Sequence, residues 1–149
     1  MTADQTNAEA IQAFTYAMTH EDIDGVMKLW DTEGEWEVMA TGETFKGLEE
    51  IRQFASRSVA ARDHATGEGL LPFNVYSNSE GTKLCWEYVH EGEVTDQWPA
   101  STHKVAKGTR FVLPIVLICE IHEGKLVKIR EYFDLLTLLE PDKAHKLYS

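Results

Sequence analysis

The chain has 149 residues, which fits one domain spanning 1–149. Apolar residues make up 43% of it and charged residues 26%, an ordinary globular balance with enough carbon to fill a core. A formal charge of −11 repels phosphate backbones and anionic head groups, which argues against nucleic acid and membrane surfaces as partners. The nearest thing to a basic patch is Arg52, Arg57 and Arg62, which spread around one helical segment and read as solvated charges. No apolar run reaches the ~18 to 20 residues of a membrane-spanning helix. Met1 to Asn7 lacks the layout of a secretory signal, so a cytoplasmic protein is expected. Cys85 and Cys119 lie in strand-like runs and read as buried free thiols, with a cross-strand disulfide left open.

In chain order, Thr6 to Glu9 has capping-box spacing, followed by Ile11, Phe14 and Met18 at helical intervals. His20-Glu21-Asp22 breaks that helix and opens a second, with Ile23, Val26, Met27 and Trp30 on its buried side. Trp36, Val38 and Ala40 alternate with Glu35 and Glu37, the period-two signature of a half-buried strand, and Thr41-Gly42-Glu43 turns after it. A third helix is expected from Gly47 to about Arg62, with Leu48, Ile51, Phe54 and Ala55 on one face. The second half reads as strands over Leu70 to Ser77, Lys83 to His90, Thr109 to His122 and Leu126 to Leu136. Glu123-Gly124 signals a tight hairpin, since glycine supplies a positive φ. Phe111 to Ile121 is apolar nearly throughout and is expected to be covered on both faces. Helices first and meandering strands after predict an α+β fold. The long Gly92 to Gly108 connection, with Trp98-Pro99, either extends a hairpin or overhangs a pocket.

Two strands break their own pattern. Val127, Ile129, Phe133 and Leu135 share a face by parity, and Glu131 sits in the middle of it. A carboxylate on an apolar face is costly to ionise and its pKa tends to rise, which makes Glu131 a candidate general acid or base. A strand end emerging into solvent, or a structural salt bridge, would explain it equally well. The second break is Leu84, Trp86, Tyr88 and His90, one face that grows polar toward its end. An imidazole there suits proton transfer, or is surface decoration at a strand end. The six histidines and two cysteines lack ligand spacing, and no phosphate loop or nucleophile elbow occurs, so no metal and no cofactor are expected.

Three stretches, Glu21 to Trp30, Phe45 to Ile51 and Gly124 to Asp134, resemble the cone-shaped domain shared by nuclear transport factor 2, ketosteroid isomerase, the SnoaL-type polyketide cyclases and limonene-epoxide hydrolase. The resemblance covers nearly the whole chain. It implies an NTF2-like cone, three N-terminal helices packed on a strongly curved, mostly antiparallel sheet that encloses a pocket. Ketosteroid isomerases use a tyrosine and two carboxyl groups at places that hold Phe14, Val38 and Val116 here, so that mechanism is not expected. Arg130-Glu131-Tyr132-Phe133-Asp134 is similar to the last-strand run of limonene-epoxide hydrolase, with Glu131 in the position of its water-activating acid. The arginine and aspartate partners of that acid fall at Tyr88 and His90, and its tyrosine and asparagine at Trp36 and Val38.

Together these readings predict a SnoaL-like protein that binds a small hydrophobic molecule and acts by cofactor-independent acid–base chemistry of isomerase, cyclase or hydrolase type. Glu131 would move a proton, His90 would be the complementary acid or base, and Tyr88 would donate a hydrogen bond to an oxygen that gains charge. Phe14, Met18, Trp36, Val38, Phe54, Trp86, Val116 and Phe133 would line the pocket. The sheet's other face, with Lys128, Arg130 and Tyr132, would pack against a second copy as a homodimer. The alternatives are a non-catalytic ligand-binding or accessory protein of the same fold, and an adaptor that uses the open sheet.

Overall fold

The computed structural model describes residues 3–61, 70–96 and 106–139. Three helices come first: α1 (Ala3–Thr19), α2 (Ile23–Lys28) and, after two strands, α3 (Gly47–Ala60). The strands are β1 (Trp30–Val38), β2 (Glu43–Lys46), β3 (Leu70–Ser77), β4 (Lys83–Glu93), β5 (Arg110–His122) and β6 (Lys125–Phe133), and a short α4 (Leu135–Leu139) follows. They form one curved, unclosed sheet in the order β2-β1-β6-β5-β4-β3, antiparallel except for the β1–β6 pair. The α+β class and the mostly antiparallel sheet agree with the sequence expectation. Among the described residues no helix is long and apolar enough to cross a membrane.

The helices cover one face of the sheet. Phe14 of α1 meets Trp86 of β4 edge-on at 5.8 Å, and Phe54 of α3 meets Trp36 of β1 edge-on at 5.2 Å. That inner face carries Leu84, Trp86 and Tyr88 from β4, Leu113, Ile115, Leu117 and Cys119 from β5, and Ile129 from β6, all buried. Such a contiguous apolar surface removed from water is the main stabilising term of the fold.

Local chemistry explains the boundaries. Glu21 takes a left-handed φ of 59° to end α1, and the Asp22 carboxylate caps α2 by accepting from the Gly25 N–H at 2.9 Å. The β5–β6 turn has positive φ at both Glu123 (48°) and Gly124 (74°), the primed geometry that matches strand twist. Asn7, buried in α1, fastens that turn by accepting from the Gly124 N–H at 2.8 Å.

Several boundaries differ from expectation. α1 starts at Ala3, so Thr6 lies inside the helix instead of capping it. Trp30 opens β1 and does not belong to α2; a bulge between Trp30 and Glu35 folds its ring over Gly34, where a Cβ would lie 2.5 Å from it. Glu43–Lys46, read partly as a turn, is a short edge strand. β6 stops at Phe133 because the Asp134 carboxylate accepts from the Leu136 N–H at 2.9 Å and turns the chain into α4, so Leu135 is helical. β4 runs three residues past His90, which places that side chain within the ladder and not at a strand end. β5 is covered on one face only: Val112 is 58% exposed on the other. Cys85 and Cys119 fall on opposite faces, Cys85 opposite Ile118 and Cys119 opposite Leu84, and both are free. Arg62 and Trp98-Pro99 lie outside the described residues; the hairpin ladder itself continues to Val94 and Thr109.

Candidate functional site

Glu131 lies on the inner face, 3% exposed, with Leu117 opposite it on β5 and Val38 opposite it on β1. Its Oε2 accepts a hydrogen bond from the Trp36 indole N–H at 2.8 Å. Burial pushes its pKa up to about 7, and the indole hydrogen bond opposes that rise only in part. A neutral donor stabilises the carboxylate less than a cation would, so both protonation states are accessible near neutrality. The alternatives of a solvent-exposed strand end and a structural salt bridge are both set aside: the group is buried, and its partner is an indole.

The ladder fixes what surrounds this carboxyl. Trp86, Leu117, Glu131 and Val38 form one cross-strand row. Tyr88, Ile115 and Phe133 form the next. The Trp86 and Tyr88 rings lie 4.6 Å apart, and Phe14 closes over Trp86. Trp36 is itself wedged between Trp30 at 5.8 Å and Phe54 at 5.2 Å, which holds its N–H on target. Among the described residues the Trp86 indole nitrogen is buried with no hydrogen-bond acceptor.

Of the residues singled out from sequence, Glu131, Trp36, Val38, Trp86, Phe14 and Phe54 converge here. Met18 is buried in the same core, and Phe133 is half-buried against it. Tyr88 is one row away. His90 shares the face and is 1% exposed, with Phe111 edge-on at 5.2 Å, but it pairs with Leu113, beyond the end of β6. Relative to Glu131 it is displaced two strands sideways, about 10 Å, and four residues along, about 13 Å. Val116 is corrected outright: it pairs with Glu87 and Tyr132 on the outer face, and Ile115 and Leu117 point inward in its place.

Trp36, expected in the apolar wall, is also the donor to Glu131, a role its sequence position by itself does not announce. The available signal was parity: Trp36 and Glu131 lie on inward positions of two strands that the resemblance makes neighbours.

No family model matches the chain, and no curated protein sequence does. Solved structures do. A candidate polyketide cyclase from Xanthomonas campestris pv. campestris superposes with a TM-score of 0.69 at 19% identity, over 93% of this chain and 97% of that one. A second candidate polyketide cyclase, from Pseudomonas putida, gives 0.67 at 20% identity, over 94% and 97%. A protein with a ketosteroid isomerase-like fold from Catenulispora acidiphila, solved in complex with trimethylamine, gives 0.64 at 19% identity, over 88% and 89%.

The fold is NTF2-like. At these identities the likeness fixes the path of the chain and leaves its chemistry to the side chains. On this NTF2-like fold the inner face carries the buried Glu131 with its indole donor, and Phe14 and Val38 supply no ionisable group there.

Proposed function

We propose that this NTF2-like chain is a SnoaL-like protein that binds a small hydrophobic molecule against the inner face of its sheet and moves a proton with Glu131. The observation that carries the reading is the Glu131 carboxyl, buried, held by the Trp36 indole N–H with no cation beside it among the described residues, and raised to about 7. Such a group takes a proton from a carbon acid or from water and returns it, which is the common step of isomerase, cyclase and hydrolase chemistry. Trp36 positions the carboxyl; Phe14, Phe54, Trp86 and Phe133 supply apolar walls. No metal or cofactor enters this scheme. Tyr88 and His90 contact the far end of the ligand in this reading, because the register sets them away from the carboxyl. The outer face, with Val112 and Tyr132 exposed, is proposed to pack against a second copy.

The offset between His90 and Glu131 favours a second reading, a non-catalytic binding or accessory protein whose carboxyl only orients its ligand. Deuterium wash-in separates the two. A panel of small enolisable ketones and β-keto esters is incubated with the protein in D2O, and loss of the α-proton signal is followed by NMR. Proton transfer predicts exchange that falls at least about 100-fold in Glu131→Gln. Ligand-induced shifts without Glu131-dependent exchange leave the binding reading, and a Glu131 titrating near ~4.3 sinks the catalytic one.

A further inference from the structure

Away from Glu131, on the solvent side of α3, an open groove of about 570 Å³ is lined by Arg52, Gln53, Ser56 and Arg57. The spacing of these residues puts them along one side of the helix, opposite the buried Ile51, Phe54 and Ala55. We propose that this groove binds a small oxyanion group, carboxylate or phosphate, through the Arg57 guanidinium.

Arg57 is half-buried, and its Nε–H is enclosed with no acceptor among the described residues. Its guanidinium lies over the Phe45 ring, 5.6 Å from the centroid, and Phe45 in turn stacks on Phe54 at 4.4 Å. The planar head is therefore held on a fixed aromatic platform before any ligand arrives. Other cations have carboxylate partners: Arg52 has Asp24 at 2.7 Å and Lys128 has Glu37 at 2.8 Å, while Arg130, whose Nε also has no acceptor among the described residues, has Glu120 at 3.8 Å. Acids outnumber bases 25 to 14 in this chain, yet among the described residues none pairs with Arg57.

The acids of α3, and the Asp24 that touches Arg52, have other work. Glu50 accepts from the Lys46 backbone N–H at 2.8 Å, Glu49 from the Gln53 side chain at 2.8 Å, and Asp24 holds Arg52. With those charges close by, a ligand is not drawn in by a broad positive field. Recognition rests on direction: the Nη hydrogens at the end of one guanidinium form a fork that matches two oxygens of a carboxylate or phosphate, while the enclosed Nε stays behind them. Ser56 offers a hydroxyl beside it. Phe45, Phe54 and Trp36 stand between this groove and Glu131, so the two sites are separate.

The arginine Nε–H signals in 15N–1H spectra test this directly. Inorganic phosphate and acetate are titrated separately, each against sodium chloride at matched ionic strength. The Arg57 Nε–H signal is expected to move and saturate with at least one oxyanion while that of Arg130, on the outer face of the sheet away from the groove, stays in place. The two arms distinguish a tetrahedral from a planar ligand. Arg57→Lys, which keeps the charge and loses the fork, is expected to weaken the response of the neighbouring α3 amides about tenfold, and Arg57→Gln to abolish it. An Arg57 response equal in chloride, or saturation that survives in Arg57→Gln, overturns the proposal. Arg57→Lys also serves where the Gln variant fails to fold.

Discussion

On the outer face of the sheet, Glu37 of β1 lies 2.8 Å from the Lys128 ammonium of β6, and Glu120 of β5 lies 3.8 Å from Arg130. On the inner face of the same strands, Glu131 meets the Trp36 indole and, among the described residues, no cation. The two environments drive one functional group in opposite directions. The Lys128 hydrogen bond holds Glu37 below the usual carboxylate range, whereas burial lifts Glu131 to about 7. Glu37 and Glu131 sit on paired strands one register step apart, and the pleat points them to opposite faces. A carboxyl that stays ionised is a surface fixture; one poised between its two states can exchange a proton at neutral pH.

That contrast is open to attack, first at the ring that holds the inner acid. Trp36→Ala removes a buried aromatic and the donor together, and should cost about 3–5 kcal/mol in denaturant unfolding. The smaller Trp36→Phe should raise the Glu131 pKa further, read by side-chain NMR titration; a fall would mean the indole is not what opposes burial. Next comes pH. Glu131 prefers its protonated form in the fold, with a pKa of about 7 against about 4.3 for an exposed Glu. Its contribution is therefore complete below about pH 4.3 and is lost as pH rises to about 7, an effect on the order of 3 kcal/mol. Unfolding free energies at a series of pH values should show that decline in the wild type and not in Glu131→Gln. Glu37 runs the other way, losing its stabilisation as pH falls, so the difference between the two proteins is the quantity to plot. The smallest effect belongs to the outer face: Glu37→Gln should cost under about 1 kcal/mol, and less in high salt.

How much of this was visible in the residues depends on the kind of signal. Glu131 stood out because β6 alternates, and one acid among Ile129 and Phe133 breaks a clean period of two. Val116 was misplaced because β5 is apolar on both sides; without polar residues to mark a phase, parity has nothing to lock to. The distance between His90 and Glu131 depends on register across β5, which local sequence does not encode. Trp36 looked like wall because an indole is mostly hydrocarbon, and its one polar atom matters only once a partner is nearby. The end of β6 was overrun because Leu135 and Leu136 continue the apolar run, and the capping role of Asp134 outweighs their preference.

The anchor between Asn7 and the Gly124 amide joins positions 117 residues apart. The first helix therefore has no final seat until the penultimate and last strands have formed their hairpin. Closing so wide a loop is entropically slow. Docking of α1 should thus come late in folding, and Asn7→Ala should speed unfolding far more than it slows folding.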